Sequence, residues 1–157
     1  MDNVAISSRV NHFRSHSDHS LDGKGRLNVP TRFREVLRRH FDDVLMVVPW
    51  ENCLRAYPQP IWEKIEVTLL NRIREKPGQK RMMEHMIRVV TPCPIDKQGR
   101  ILLSPKLRSL FGIKKDVVLS GVLKYFEIWD KDTWEEKQKP TADEFESFDM
   151  AIIEWGL

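Results

Sequence analysis

The chain has 157 residues, of which 41% are apolar and 31% charged, with a formal net charge of +3. That is enough apolar material for one compact globular domain or two small ones, and two distant cysteines, Cys53 and Cys93, make neither a CxxC pair nor a disulfide framework, so a reducing cytoplasm is the default. The charge is unevenly spread: residues 1–124 carry 23 Lys/Arg against 13 Asp/Glu, and residues 125–157 carry 3 against 10.

A basic body with an acidic tail suits a partner such as nucleic acid, because Lys and Arg displace counterions from phosphates; the plainer reading is a solvated acidic last helix. The opening MDNVAISSRV lacks the apolar stretch of a secretory signal. His12, His16 and His19 with Asp18 could be read as metal ligands, but the segment leads into a strand, where those spacings point to both faces. Asp22-Gly23-Lys24-Gly25 has type I turn chemistry, the Asp accepting local N–H groups and the last Gly tolerating positive φ. It lies between short runs of branched apolar residues and predicts a hairpin. Beyond it Leu27 and Val29 share one face, leaving Arg26 and Asn28 on the other.

Pro30 then marks a helix start, and Phe33, Val36 and Leu37 form its apolar stripe. VLMVV from Val44 and CLRAY from Cys53 read as strands. An amphipathic helix follows, with Ile61, Ile65, Leu69 and Ile73 on one face, and Pro77-Gly78 ends it. QKRMMEHMIRVV predicts a second helix whose methionines serve the core or a subunit interface.

The next stretch repeats the first. Asp96-Lys97-Gln98-Gly99-Arg100 matches Asp22 to Arg26 at an offset of 74, and Pro105 marks a helix with Leu107, Leu110 and Phe111 as its stripe. The offset then becomes 72: DVVLS from Asp116 matches VLMVV, YFEIW from Tyr125 matches CLRAY, and Trp134-Glu135 matches Trp62-Glu63. Each unit is a hairpin, a short helix and a hairpin, too small to bury a core alone, so the two units should interleave within or between chains. DKDTWEEKQK predicts another helix with Asp acceptors near its start, and the segment after Pro140 a last acidic one.

If each hairpin pairs in register, the Asp carboxylate and Arg guanidinium meet across its neck, and the Arg fork is held outward. Such a fork suits guanine O6 and N7 or a phosphate, and a two-stranded ribbon fits the major groove. The alternative for the same spacing is good turn chemistry plus a surface ion pair worth about 0–1 kcal/mol.

Together HSLDGKGRLNVPTRFRE, IDKQGRILLSPKLR and EIWDKDTWEE resemble the MraZ family of bacterial transcriptional regulators, encoded at the start of the division and cell-wall gene cluster. The resemblance runs from about Phe13 to Trp134. It implies a mixed α/β, mainly β fold: two tandem swapped-hairpin, AbrB/SpoVT-like units of β-barrel type with short helices. The expected layout is an N-terminal extension over 1–12, a first unit over 13–60, a helical connector over 61–89, a second unit over 90–133 and an acidic helical tail over 134–157. It further implies binding to short direct repeats in promoter DNA by a ring-shaped homo-oligomer in the octamer to dodecamer range, in the cytoplasm at the nucleoid. Carried over by position, the segments that contact DNA are Asp22 to Arg26 and Asp96 to Arg100. By their own chemistry Arg26 and Arg100 are expected to read bases or clamp phosphates, with Lys24, Lys97 and Arg14 adding electrostatic affinity, while Asp22, Gly25, Asp96 and Gly99 support the two motifs. Arg32, Arg34, Lys106 and Arg108 are expected to be solvated or paired.

The sequence holds no P-loop, GxGxxG, GxSxG or HExxH, so no catalytic residue, cofactor, metal, membrane or small-molecule substrate is expected. The competing function is an oligomeric ring scaffold acting through protein contacts, with its basic face incidental.

Overall fold

The structure is a computed structural model that describes residues 12–39 and 43–157. Apart from His12, the expected N-terminal extension lies outside the described residues. The first repeat supplies β1 (His16–Ser20), β2 (Arg26–Asn28), α1 (Thr31–Arg39), β3 (Val44–Trp50) and β4 (Cys53–Pro58). Then come α2 (Gln59–Arg72), a 3-10 turn at Pro77–Gln79 and α3 (Lys80–Val89). The second repeat gives β5 (Thr91–Pro94), β6 (Arg100–Leu102), α4 (Pro105–Leu110), β7 (Asp116–Gly121) and β8 (Phe126–Asp130), followed by α5 (Lys131–Lys137) and α6 (Ala142–Glu154).

The strands form an open six-stranded antiparallel sheet, in the order β1-β7-β8-β4-β3-β5, and a separate two-stranded ribbon of β2 with β6. The fold is mixed α/β, as expected, with antiparallel strands at its centre and mostly short helices around them. The two repeats interleave within one chain. β1 pairs with β7 of the other repeat, β5 pairs with β3, and the ribbon takes one strand from each. The expected hairpins are thus swapped: each Asp-to-Gly turn reverses the chain, but its two strands leave for different sheets.

Sequence alternation decides which side each residue serves. Leu45, Val47, Leu54, Ala56, Phe126 and Ile128 face a core closed on the other side by Leu27, Val29, Ile101 and Leu103 of the ribbon segments and by Phe33 and Leu107 of α1 and α4. Phe13, Phe33 and Phe126 pack together with ring centroids 4.8–5.3 Å apart. The opposite sheet face presents Val48 and Tyr57 to Trp62 of α2 and Met86 of α3. It presents Cys53, Val118 and Trp129 to Trp134 of α5. The matched tryptophans of the repeat therefore anchor matched helices.

Both prolines stand at helix starts, as expected, though not at equivalent positions, and two other local expectations need correction. Pro30 precedes α1 and its carbonyl accepts from Phe33 and Arg34, whereas Pro105 is already inside α4, with Ser104 as the cap accepting from Leu107 N at 3.2 Å. The two prolines are therefore one position out of register in the repeat. Leu110 of the second stripe is 49% exposed, because α4 is too short to bury that turn. Asp130 does not cap α5; its Oδ1 instead accepts from Lys114 N at 3.1 Å, which fixes the loop entering β7.

Candidate nucleic-acid interface

Each Asp-to-Arg segment folds the same way. Gly25 N donates to Asp22 O and Asp22 N donates to Arg26 O, both at 3.0 Å; Gly99 with Asp96 and Asp96 with Arg100 repeat this at 2.9 and 2.8 Å. Asp22 Oδ1 accepts from Lys24 N and Arg26 N, and Asp96 Oδ1 from Gln98 N and Arg100 N, all at 2.9 Å. The second carboxylate oxygen meets the Arg Nε, at 2.5 Å in the first copy and 3.0 Å in the second. The backbone N–H of Arg26 is the main cause that holds the Asp22 carboxyl down at about 2, with the guanidinium and Lys24 N–H adding to it. The same set of bonds lowers Asp96. With Nε committed to Asp, the Nη edge of each guanidinium is the edge offered to a ligand. In the second copy one Nη also approaches Gln98 Oε1 at 3.5 Å.

Gly25 and Gly99 adopt φ of +84° and +79°, which only glycine enters cheaply. Both are also hemmed in by the other repeat. A Cβ on Gly25 would lie 2.8 Å from Leu103 O, and one on Gly99 would lie 2.7 Å from a guanidinium nitrogen of Arg34. Across the same junctions Val29 N donates to Gly99 O and Leu103 N to Gly25 O, both at 2.9 Å.

The ribbon brings the two motifs together. Arg26 sits opposite Leu102, Leu27 opposite Ile101 and Asn28 opposite Arg100. Leu27 and Ile101 are buried beneath, so Arg26, Asn28, Arg100 and Leu102 share the outer face. Arg26 and Arg100 are diagonal neighbours, a relation that places residues about 7–8 Å apart. Stacked bases are about 3.4 Å apart along a strand, so the pair matches roughly two base steps. Lys24 projects from the first turn and Lys97 from the second. A groove beside the second turn is lined by Arg34, Arg38, Asp43, Asp96, Lys97 and Gly99.

Arg14 is not brought to this face. It precedes β1, whose far end carries the first turn, and its backbone lies against Gly121. Five strand residues separate the two ends by about 17 Å. The other arginines considered in the sequence are engaged. Arg32 donates to Ser17 Oγ at 2.9 Å and lies over the Phe33 ring, and Arg108 Nε donates to Leu103 O at 3.0 Å. Arg34 donates from Nη2 to Thr31 Oγ1 at 3.0 Å, while its Nε is buried without a hydrogen-bond partner. That Arg34 and Arg108 each lie under the opposite repeat's glycine was hidden in the sequence, where they read only as helix-start charges. The sole clue was their matching offset of 74.

His16 packs on Trp134 at 5.4 Å, and His19 bonds Ser17 Oγ at 2.6 Å, its pKa lowered by burial and by Arg32. Among the described residues no group of His, Cys, Asp or Glu is placed to hold a metal ion. No helix among them is long and apolar enough to cross a membrane. Cys53 and Cys93 are buried, and desolvation raises both thiols, Cys93 to about 11.

The duplicated turn, the ribbon shared between repeats and the matched helices extend over nearly the whole described chain, and so do the likenesses to known proteins. The family model described as "MraZ protein, putative antitoxin-like" matches residues 13–84 and again 86–151. A protein of Syntrophobacter fumaroxidans named transcriptional regulator MraZ is 44% identical over 150 residues, covering 93% of this chain and 97% of its own. Proteins of the same name from Solidesulfovibrio magneticus and Thioalkalivibrio sulfidiphilus are 38% and 42% identical, over 92% and 78% of this chain and 97% and 82% of theirs. Two family matches, one for each copy of the repeat, and relatives aligned over most of both chains give a single assignment: this chain belongs to the MraZ family.

Proposed function

We propose that the chain is a sequence-specific DNA-binding transcriptional regulator. In this reading it binds short direct repeats in the promoter of the division and cell-wall gene cluster, as a ring-shaped homo-oligomer in the octamer to dodecamer range. The observation that carries it is the pairing of Arg26 and Arg100 on one exposed ribbon face, each guanidinium oriented by its own Asp. A ribbon with two fixed Arg forks can enter the major groove and donate to guanine edges or to phosphates. Asn28 on the same face has the donor and acceptor that adenine requires, and the exposed Leu102 can meet a thymine methyl. Lys24 and Lys97 act as point charges towards phosphates. Catalysis, cofactor and membrane have no part in this reading, and it places the protein in the cytoplasm at the nucleoid.

The test is an anisotropy titration at several salt concentrations. It uses a labelled duplex of three or four direct repeats from the region upstream of the gene cluster, against a scrambled duplex. The expected result is a preference for the repeats that grows with their number, with a steep negative salt slope. Equal, weak binding to both duplexes would sink the reading and favour a scaffold.

A further inference from the structure

We infer that α6 of one chain docks on the outer face of the α2–α3 pair of a second copy of the same chain. The inference names the contact for the ring reading above, and rests on it only for closure of the ring.

Helix α6 is preformed. Thr141 Oγ1 accepts from Glu144 N at 3.2 Å and Glu144 Oε1 accepts from Thr141 N at 3.3 Å, a complete capping box. Its residues Phe145, Phe148 and Ile152, with Trp155 at its C-terminal cap, recur at helical spacing as one stripe, and the Phe148 and Trp155 rings are 6.2 Å apart. Phe145, Phe148 and Trp155 are 52–63% exposed. A contiguous apolar surface of this kind, rimmed by charge, marks an interaction site.

Charge selects the occupant. Residues 142–154 contain five Asp/Glu and no Lys or Arg, so pairing α6 with another α6 sets acid against acid. Residues 59–89 contain seven Lys/Arg against four Asp/Glu. There α2 and α3 spend their inner faces on Trp62 and Met86, and leave Val67, Leu70 and Met82 more than half exposed. The two surfaces are therefore complementary in polarity and in sign. They also belong to different halves of the sheet: α5, from which α6 leads off, covers β7 and β8, and α2–α3 cover β3 and β4. A contact between two different surfaces that passes on from chain to chain, without reciprocal exchange, is head-to-tail, and it closes into a ring when the rotation permits.

The test uses two full-length variants altered only at exposed positions: Phe148→Glu with Trp155→Glu on α6, and Val67→Glu with Leu70→Glu on α2. Unfolding midpoints close to wild type check that both fold, and truncation after Lys139 provides a second α6-deficient chain. Sedimentation velocity should show an oligomer for the wild type, a monomer for each variant alone, and a one-to-one dimer when the two are mixed, since one intact contact remains. A monomeric wild type, variants that assemble normally, or a mixture that stays monomeric would overturn the inference. Both variants should keep wild-type affinity for a single DNA repeat and lose the gain from added repeats. An oligomeric wild type, monomeric variants and a dimeric mixture, without any duplex preference, would sink the DNA reading and leave the interface standing.

Discussion

Arg55 and Glu127 occupy the same place in the two copies of the repeat, 72 positions apart, and face each other across β4 and β8. Leu27 and Ile101, 74 apart, do the same in the ribbon, so an internal two-fold axis passes through both pairs. Arg55 Nε lies 4.0 Å from Glu127 Oε2, an ion pair without a hydrogen bond, and its guanidinium is held over the rings of Trp50 and Tyr125 at 4.0 and 4.4 Å. Two first repeats pairing with each other would oppose Arg to Arg, and two second repeats Glu to Glu. Only first with second gives attraction.

The pair should therefore matter most when one member is reversed. Arg55→Glu sets two carboxylates against each other at a half-buried site and is expected to cost about 1–3 kcal/mol in urea unfolding. Adding Glu127→Arg should recover part of that loss. No recovery would mean that the Trp50–Arg55–Tyr125 stack, and not the charge pair, is what stabilises the axis.

On DNA, Arg26→Ala and Arg100→Ala should each cost about 1–3 kcal/mol and relax selectivity at separate base positions. Lys24→Ala should weaken binding to all sequences alike and lower the salt slope by about 1. Titrations against a set of single-base variants of the repeat distinguish the two patterns. Unchanged affinity in the Arg26→Ala, Arg100→Ala double variant would remove the ribbon face from consideration.

The Asp22 carboxyl has a folded-state value of about 2, below its ordinary 3.8. A depressed carboxylate contributes stability above its unfolded value, and that contribution is lost as pH falls through the folded value. The neck of the first turn should thus be intact at pH 4 and above, and weaken only between about pH 3.8 and 2. Carboxyl NMR titration reads this directly. Because the backbone N–H of Arg26 is the main cause, Arg26→Ala should raise the Asp22 value only part of the way.

Gly25→Ala and Gly99→Ala both force an L side chain into positive φ, a cost of about 1–3 kcal/mol. Gly25→Ala should be the worse of the two in thermal unfolding. Its Cβ meets a backbone oxygen, Leu103 O, whereas at Gly99 the obstacle is the Arg34 side chain, which can swing aside.

Much of this architecture was legible in the sequence because local chemistry decided it. Asp and Gly at the ends of a four-residue turn, and apolar residues in alternation or at helical spacing, act over a few positions and announced β1 to β8 and the main helices. The partners of those strands were not legible. β1 and β2 carry no mark that sends them to β7 and β6 instead of to each other; that choice is made by burial of Leu27 against Ile101 and of Phe13 against Phe33 and Phe126. For the same reason the Asp–Arg contact was foreseeable from within one turn, and Arg34 beneath Gly99 was not. Asp130 failed as a cap because a tertiary donor, Lys114 N, claimed its carboxylate.

The ribbon has a consequence for synthesis of the chain. Its two strands are 74 positions apart, so neither Arg26 nor Leu27 has its final neighbours until β6 has left the ribosome. Contacts this distant in sequence form late, since the intervening chain must first be closed into a loop. Until then the first repeat holds unpaired strand edges and an uncovered apolar side, the usual start of misassembly between nascent chains. A ribosome-stalled chain ending before Ile95 should therefore carry its first Asp–Arg motif and still be unable to present the two-arginine face, which exists only as a joint product of both halves.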